Sequence, residues 1–319
     1  MSDPLNQAQR DEIAQARENP VPTRRPSSAA MEEILYTAIP VLDRGFVRVV
    51  DYMGDDAAVV QGARVSYGRG TRHTSGDRGL IRYLMRHRHT TPFELVELKL
   101  HVRAPIFVTR QWFRHRTASI NEYSARYSVL DREFYLPAVE SVAAQSASNR
   151  QGRGEVMDAA TAAKVVGLLR EDAARCYDDY LWMLNETEAG EPVDPDRAGV
   201  ARELARINLP VGIYTQFYWK VNLWNLLHFL HLRADAHAQY EIRAYAEAIL
   251  GVVQGWVPLV HEAFTDYMQN AASFSGRELA LLRAALAGGE RLDAASFGLS
   301  AREARELAAR LPELASRLG

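Results

Sequence analysis

"VELKLHVRA", residues 96–104, alternates apolar and polar side chains along its whole length. The apolar positions are Val96, Leu98, Leu100, Val102 and Ala104, and the polar positions are Glu97, Lys99, His101 and Arg103. A period of two is typical of a β-strand that buries one face, so this stretch predicts such a strand. Pro105 then ends the strand and suits the first turn of a helix, where the N–H that proline lacks would have no partner.

The segment PIFVTRQWFRHR, residues 105–116, is predicted to form that helix. Residues four apart share one side of a helix, which places Arg110 beside Arg114 and Gln111 beside His115. The basic residues of this segment are therefore expected at the end of a helix and in the loop that follows.

Further strands and helices are predicted on both sides of this pair. Residues 45–68 carry short apolar runs broken by glycine, which suggest a strand, a turn and a short helix leading to Ser66 and Tyr67. Helical spacing recurs in three later ranges, residues 159–186, 196–210 and 219–264. The small polar residues of 141–156 indicate an insertion or a mobile loop.

The two ends of the chain differ from its middle. Residues 1–34 are polar, with three prolines in NPVPTRRPSS, and are predicted to form a flexible arm without regular structure. Residues 271–319 are predicted to form a helical extension, because two capping boxes each open a leucine- and alanine-rich helix. These boxes pair Ser275 with Glu278 and Ser300 with Glu303.

The composition is that of a globular protein with ample apolar residues for a core. Of its 319 residues, 47% are hydrophobic, and the formal net charge of −2 excludes a global basic field for nucleic acid. No run of about 18 apolar residues exists, and the N-terminus lacks the apolar core of a signal peptide, which favours a cytoplasmic location. The single cysteine, Cys176, cannot form an internal disulfide, which fits a reducing compartment.

The stretch RQWFRHRTASINEYSARYS, residues 110–128, concentrates positive charge beside hydroxyl groups. Arginine forks match phosphate oxygens and serine hydroxyls add neutral donors, so the stretch could hold a phosphorylated small molecule. A surface helix whose arginines pair with acids elsewhere fits the residues equally well. A nucleic-acid site fits less well, because neither a second basic stripe nor an aromatic RNA-binding motif accompanies the cluster.

A second polar pattern repeats at every third position, at Asn222, Asn225, His228 and His231. On an otherwise leucine- and phenylalanine-rich helix we expect a buried polar stripe, which needs core partners, a ligand or a metal. Neither these histidines nor His87 and His89 match a familiar zinc pattern, so no metal is predicted. Cys176, between acidic residues on a predicted helix, is interpreted as structural.

The segment RHRTASINEYS, residues 114–124, is similar to the signature of the flavin-dependent thymidylate synthases. In that signature two arginines flank a histidine, and a serine follows after seven intervening residues, as Ser124 does here. Other motifs occur in the family's order: ARVSY at 63–67, HTTPFE at 89–94, APIFVTRQWFRHR at 104–116, ARINLP at 205–210 and LRADAHAQYEI at 232–242. The resemblance covers roughly residues 35–270, which we interpret as one catalytic domain.

The resemblance implies an α+β fold with a twisted sheet flanked by helices, assembled as a homotetramer whose FAD and dUMP sites are shared between subunits. It implies methylation of dUMP to dTMP, with methylenetetrahydrofolate as carbon donor and NADPH as the reductant of FAD. It also implies no cysteine nucleophile, because this family delivers a flavin hydride where other thymidylate synthases attack the uracil ring with a cysteine. Neither nucleic acid nor a membrane is an expected partner.

The resemblance further implies roles for individual residues. Arg233 is expected to polarise the uracil ring, and His89 to lie near the chemistry. The expected flavin contacts are Thr91, Arg114, His115, Arg116, Glu122, Asn222 and His228. The expected dUMP contacts are Gln111, Arg114, Glu122, Tyr123, Ser124, Ala125, Arg126, Arg206 and Arg233. Trp224 and His228 depart from the family, in which some relatives carry a basic residue and an asparagine at these positions.

Two other classes of function stay open. A nucleotide-binding regulator could keep the site without turnover, and an RNA-binding protein could use the arginine loop. Release of FAD from a yellow protein would discard the RNA-binding class, and turnover with NADPH would separate an enzyme from a regulator.

Overall fold

The computed structural model describes residues 5–18, 22–65, 76–146, 152–288 and 291–318. Ser66 and Tyr67, at the end of the ARVSY motif, lie outside the described residues. The chain consists of two compact units, one up to Phe264 and one from Thr265 onward.

The first unit is built on five strands: β1 Ala38–Val41, β2 Gly45–Met53, β3 Glu97–Pro105, β4 Ser119–Glu122 and β7 Tyr214–Asn222. They form one antiparallel sheet in the order β1-β2-β3-β7-β4. Two further strands, β5 Ala143–Gln145 and β6 Arg153–Val156, pair separately. The strand predicted from the alternation is confirmed as β3, the middle strand of the five.

The helices of the first unit are α1 Gln7–Glu18, α2 Ala29–Ile34, α3 Asp56–Arg64, α4 Asp77–Arg86, α5 Thr91–Glu94, α6 Ile106–Trp112, α7 Ala159–Leu184, α8 Arg202–Ala205, α9 Leu223–Arg233, α10 Tyr240–Trp256 and α11 Pro258–Phe264. An antiparallel sheet with separate helices confirms the predicted α+β class. Among the residues that the structure describes, no helix is both long and apolar enough to cross a membrane.

One face of the sheet packs on helices through an aromatic cluster around the fully buried Trp112 of α6. Ring centroids lie 5.3 Å from Trp112 at both Phe217 and Trp219 of β7, 4.8 Å at Phe229 of α9 and 5.9 Å at Tyr245 of α10. Buried aromatic side chains contribute large apolar areas, so this cluster holds the end of α6 against β7 and α9.

Part of the opposite face of the sheet is also buried, where the alternation predicted solvent. His101 and Arg103 are each only 6% exposed, so the expectation of a single buried face is wrong. Arg103 pairs with Glu133 and lies 3.6 Å from Asp131, while Nη2 of the buried Arg48 lies 2.9 Å from Nδ1 of His101. Carboxylates from a distant part of the chain compensate the buried charge of Arg103. Nε and Nη1 of Arg48, in contrast, have no hydrogen-bond partner among the described residues.

The helix after β3 is shorter than the predicted residues 105–116. Its last residue lies two positions before Arg114, so Arg114 and His115 do not continue the helical spacing from Arg110 and Gln111. That part of the prediction is wrong. The prediction that the basic residues lie at a helix end and in the following loop is confirmed.

The helical run predicted over residues 219–264 begins later than expected. Trp219 to Asn222 belong to β7, and α9 starts at Leu223. Asn222 caps α9, because its side-chain oxygen accepts the backbone N–H of Asn225 at 2.9 Å. The cap satisfies a donor that the first helical turn leaves without a partner.

Three other predictions can be compared with the structure. The helix predicted over residues 159–186 is confirmed as α7. Residues 196–210 contain only α8 and a 3-10 turn at Arg206–Asn208, so most of that predicted helix is wrong. The predicted loop 141–156 instead has paired ends, which form the β5–β6 ribbon.

The N-terminal segment contains two helices, α1 and α2, so the expectation of an arm without regular structure is wrong for these residues. Nε2 of Gln9 donates to Oε1 of Gln216 on β7 at 2.8 Å, and Nη1 of Arg17 donates to the hydroxyl of Thr37 at 2.9 Å. Because α1 buries none of its residues, it makes polar contacts and has no apolar stripe that the sequence could reveal.

The second unit contains two longer helices, α12 Gly276–Leu286 and α13 Ala301–Arg310. Both predicted capping boxes are confirmed, with reciprocal contacts between Ser275 and Glu278 and between Ser300 and Glu303. A small core of its own includes Leu281, Leu292, Leu299, Leu307 and Leu314.

Candidate active site

A cavity of about 930 Å3 opens between the loop after α6, strand β7 and helix α9. Its lining residues are Arg114, His115, Arg116, Thr117, Trp219, Val221, Asn225, His228, Leu232 and Arg233. The Trp112 cluster packs the same three elements together, so the cavity stands on a close-packed aromatic base.

The charge of this cavity is one-sided. Among the described residues of its lining, three are arginines and none is an acid. Among the described residues, no ion pair joins Arg114 or Arg116 to a carboxylate. The alternative in which these arginines pair with acids elsewhere therefore finds no support at Arg114 or Arg116 in the described chain. Two guanidinium groups without carboxylate partners favour an anionic ligand.

Arg233, the last residue of α9, joins the two sides of the cavity. Its Nε donates to Nε2 of His115 at 3.2 Å, and its Nη2 lies 3.5 Å from the backbone oxygen of Gln111. Because a guanidinium only donates, Nε2 of His115 accepts, and the proton of the neutral ring lies on Nδ1. Burial, Arg233 and the nearby His228 lower the pKa of His115 to about 4, so the ring is neutral at neutral pH.

The segment predicted to bind dUMP follows the edge strand β4. Glu122 ends β4 opposite Phe217, and the backbone N–H of Tyr123 donates to the carbonyl of Gln216 at 2.8 Å. Burial raises the pKa of Glu122, while a hydrogen bond with Thr215 and the charge of Arg110 act in the opposite direction.

The next residues form a tight turn. The hydroxyl of Ser124 accepts the backbone N–H of Arg126 at 3.3 Å, and Ala125 is buried. Nη1 of Arg202 donates to the carbonyl of Tyr127 at 2.9 Å, and Nη2 of Arg202 pairs with Glu186 at 2.7 Å. Arg202, which the sequence did not single out, therefore holds this turn from α8.

Arg126 and Arg206 do not line the 930 Å3 cavity. Arg126 lines a second cavity of about 530 Å3, where its Nε lies 3.9 Å from the carboxylate of Glu203. Arg206 is half-buried and begins the 3-10 turn after α8. Within one chain, Arg126 and Arg206 therefore lie outside the cavity lining that contains Arg114 and Arg233.

His89 and Thr91 also lie outside the lining of the 930 Å3 cavity. His89 follows α4 and is exposed, with its ring centroid 5.7 Å from Tyr83 and 6.4 Å from His87. Thr91 is the exposed first residue of α5. Phe93, two residues later in α5, packs on α9, and its ring centroid lies 5.9 Å from that of Trp224.

The polar stripe of α9 faces the cavity and solvent, so the expectation that it is buried is wrong. His228 and His231 are exposed, and Asn222 and Asn225 are half-buried. Asn225 lines the cavity, as do four residues that the sequence did not single out: Thr117, Trp219, Val221 and Leu232. Alternation of Phe217, Trp219 and Val221 along β7 was the available signal, and the helical interpretation of this stretch hid it.

Cys176 does not line either cavity described above. It is half-buried on α7, and its Sγ lies 4.0 Å from Nδ2 of Asn208. Among the described residues, no group of three or more His, Cys, Asp and Glu side chains is arranged to hold a metal ion.

The comparison with known protein families identifies the first unit. The family model described as "Thymidylate synthase complementing protein" matches residues 48–259. This chain belongs to that family. The matched range contains the whole lining of the 930 Å3 cavity, and the resemblance seen in the sequence is confirmed.

Named members of the thymidylate synthase complementing protein family are similar over nearly the whole chain. A protein named flavin-dependent thymidylate synthase from Gluconobacter oxydans is 58% identical over 305 residues, which cover 96% of this chain and 97% of that protein. One of the same name from Ruegeria pomeroyi is 59% identical over 303 residues, covering 95% and 97%. The resemblance therefore includes most of the C-terminal unit as well as the first.

A solved structure of similar fold is the UMP/dUMP methylase PolB from Streptomyces cacaoi, determined with 5-Br dUMP bound. It is 34% identical, has a TM-score of 0.62, and covers 72% of this chain and 99% of its own. PolB, whose fold is similar to that of this chain, thus binds a halogenated pyrimidine nucleotide.

The residues of the 930 Å3 cavity fit a flavin nucleotide. Arg114 and Arg116 offer the donors that a pyrophosphate requires, and no carboxylate among the described lining residues opposes them. The indole Nε1 of Trp219 is buried and has no hydrogen-bond partner among the described residues.

Proposed function

We propose that this protein methylates dUMP to dTMP, with methylenetetrahydrofolate as carbon donor and NADPH as the reductant of a bound FAD. The observation that carries the proposal is the pair Arg114 and Arg116, which line a large cavity without a carboxylate partner in the described chain. The family relationship and the nucleotide bound by PolB support the same assignment.

Arg114 and Arg116 act as counter-charges in this proposal. Phosphate and pyrophosphate oxygens accept paired hydrogen bonds from a guanidinium, and such charge-assisted bonds are about twice as strong as neutral ones. Since neither arginine must first leave an internal ion pair, the full attraction is available to the ligand.

Arg233 is the residue proposed to activate the pyrimidine ring. It is half-buried, and burial lowers the pKa of its guanidinium without removing the charge at neutral pH. The neutral His115 accepts from Nε and the backbone oxygen of Gln111 accepts from Nη2, which together fix the plane of the guanidinium and leave Nη1 for a ligand. A fixed cation beside a ring that gains negative charge stabilises the transition state more than the bound ground state.

When bound, the flavin supplies the hydride that the methylation consumes. The chain itself needs no thiol for this chemistry, and Cys176 lies on α7 outside the cavity. The other proposed flavin contacts are His89, Thr91, His115, Glu122, Asn222 and His228, and the other proposed dUMP contacts are Gln111, Tyr123, Ser124, Ala125, Arg126 and Arg206.

We also propose a homotetramer whose sites are completed by neighbouring subunits. This assembly accounts for the separation, within one chain, of His89 and Thr91 from the cavity that Arg114 and Arg233 line. It places predicted site residues of one subunit at the cavity of another.

The direct test is to purify the protein, release its chromophore by denaturation, and follow dTMP formation from dUMP, methylenetetrahydrofolate and NADPH. Release of FAD and formation of dTMP are expected. A colourless protein, or a yellow protein that makes no dTMP under these conditions, would contradict the enzyme assignment and leave the RNA-binding or regulatory class. UMP in a parallel reaction measures whether the sugar is discriminated, since PolB is named for both nucleotides.

A further inference from the structure

Glu241, in the first turn of α10, is a buried carboxylate and only 2% exposed. It accepts three hydrogen bonds: from the guanidinium of Arg153, from the hydroxyl of Tyr135 at 3.0 Å and from Nε2 of Gln239 at 2.8 Å. Its ion pair with Arg153 and the two other donors direct both of its oxygens to accept hydrogen bonds.

This carboxylate fixes the orientation of the Gln239 amide. Gln239 must turn its NH2 group toward Glu241, so its oxygen faces away from Glu241. That oxygen accepts the Nε2 group of Gln111. The orientation of Gln111 then follows in the same way, because its NH2 group is committed to Gln239.

The remaining oxygen of Gln111 lies on the opposite side of its amide carbon from that NH2 group. Among the described residues, none donates a hydrogen bond to it. Gln111 is half-buried next to the site, since its backbone oxygen lies 3.5 Å from Nη2 of Arg233.

We propose that Gln239 and Glu241 are positioning residues that hold the Gln111 oxygen toward the substrate as a fixed hydrogen-bond acceptor. The ligand must then present a donor at this place. The inference rests on the proposed function, under which two groups of dUMP qualify, the N3–H of uracil and the 3′-hydroxyl of the sugar. A fixed acceptor rejects a ligand that lacks the donor, because its lone pair is left unsatisfied.

The test compares dissociation constants in the purified flavin-loaded protein by calorimetry. The ligands are dUMP, dCMP, which carries no N3–H, and the 3′-deoxy analogue of dUMP. The first variant is Gln239→Met, which breaks the relay, the series of hydrogen bonds from Glu241 through Gln239 to Gln111, at an exposed residue. The second is Glu241→Gln, whose amide can donate or accept and therefore permits either orientation of the Gln239 and Gln111 amides. Glu262→Gln is the matched control, because it also neutralises a carboxylate paired with arginines, here Arg78 and Arg82.

We expect the parent protein to prefer dUMP over one of the two analogues by about tenfold or more. In Gln239→Met and Glu241→Gln that ratio should fall several-fold, while Glu262→Gln keeps it. A fall in the dUMP to dCMP ratio assigns the donor to N3–H, and a fall in the ratio to the 3′-deoxy analogue assigns it to the hydroxyl. Both outcomes support the relay.

General damage to the fold would weaken all three ligands together and leave the ratios unchanged. If the Gln239→Met protein binds dUMP with both ratios at parent values, the relay has no positioning role and the inference is wrong. Failure of the parent protein to bind dUMP at all would instead overturn the proposed function, and the inference with it.

Discussion

Nε of Arg233 lies 3.2 Å from Nε2 of His115, and only the arginine can donate in this pair. The contact therefore persists only while the His115 ring is neutral. The low pKa of His115, about 4, keeps the ring neutral across the physiological range, so the charge of the cavity does not depend on this residue there.

We predict that His115 titrates below pH 5, which NMR of the imidazole protons can measure with His115→Gln for assignment. Replacing Arg233 with methionine should move the midpoint upward, because the positive charge of Arg233 opposes protonation of His115. A midpoint near 6.5 in the parent protein would show that the ring is neither buried nor beside a cation.

His115 and a second buried histidine, His101, should make the stability of the protein depend on pH. His101 has a folded pKa of about 4 for a similar reason, burial next to Arg48, against 6.5 for an unperturbed histidine. Between these values the unfolded chain binds more protons, so the free energy of unfolding should fall as pH drops from 6.5 to 4. Urea denaturation at pH 7 and pH 5 measures the difference, and His115→Gln should reduce it.

Arg114→Ala should weaken dUMP or flavin binding by about tenfold or more, because a charge-assisted contact contributes about 1.5–3 kcal/mol. Arg126→Ala should act similarly on dUMP. Arg175→Ala is the control, since Arg175 is an exposed arginine paired with Asp172 on α7. Equal affinities for dUMP and flavin in all three variants would show that the arginine stretch is an ordinary surface segment.

Arg233→Lys should impair the transfer to dUMP, and Arg233→Ala should impair it further, since lysine keeps the charge but loses the planar fork. NADPH should still reduce the flavin in both variants, because that half-reaction does not use the uracil ring. The measurement is single-turnover oxidation of the reduced flavin with dUMP saturating. If Arg233→Ala oxidises the reduced flavin at the parent rate, Arg233 does not activate the uracil ring.

Cys176→Ala should leave dTMP formation nearly unchanged, since Cys176 is not among the residues that line the cavity and its Sγ has one polar contact among the described residues, 4.0 Å from Nδ2 of Asn208. Loss of a small half-buried thiol should cost at most about 1 kcal/mol of stability. A folded but inactive variant would contradict a mechanism without a cysteine nucleophile.

Asn222→Asp and Asn222→Ala separate two roles of one residue. Aspartate preserves the cap of α9, whereas alanine should lower the free energy of unfolding by about 1 kcal/mol. If Asn222 acts through the cap, the aspartate variant keeps its flavin and the alanine variant loses part of it. An aspartate variant with native stability but little flavin would point to direct contact through the amide.

The sequence predicted those strands, helices and site residues that depend on residues close together in the chain. The alternation around Leu98 located β3, and the two serine capping boxes located α12 and α13. The arginine motif located one wall of the cavity, because its residues are adjacent in the chain.

The rest depends on partners far away in the chain. His101 and Arg103 have the polarity of exposed residues, and their burial depends on contacts with residues such as Arg48 and Glu133. Trp219 was assigned to a helix because the leucine-rich run that follows it has helical spacing, and the strand depends on pairing with β3 and β4. The contact of Gln239 with Gln111 likewise joins residues 128 positions apart.

The walls of the 930 Å3 cavity come from residues 114–117 and 219–233, which are separated by about a hundred residues of chain. At on the order of 5–20 residues per second, a ribosome needs roughly 5–20 s to make the intervening segment. Throughout that interval the arginine loop is already synthesised but has no opposing wall, so a nascent chain cannot recruit its nucleotide early. Ligand capture must therefore follow completion of β7 and α9 rather than guide the first steps of folding.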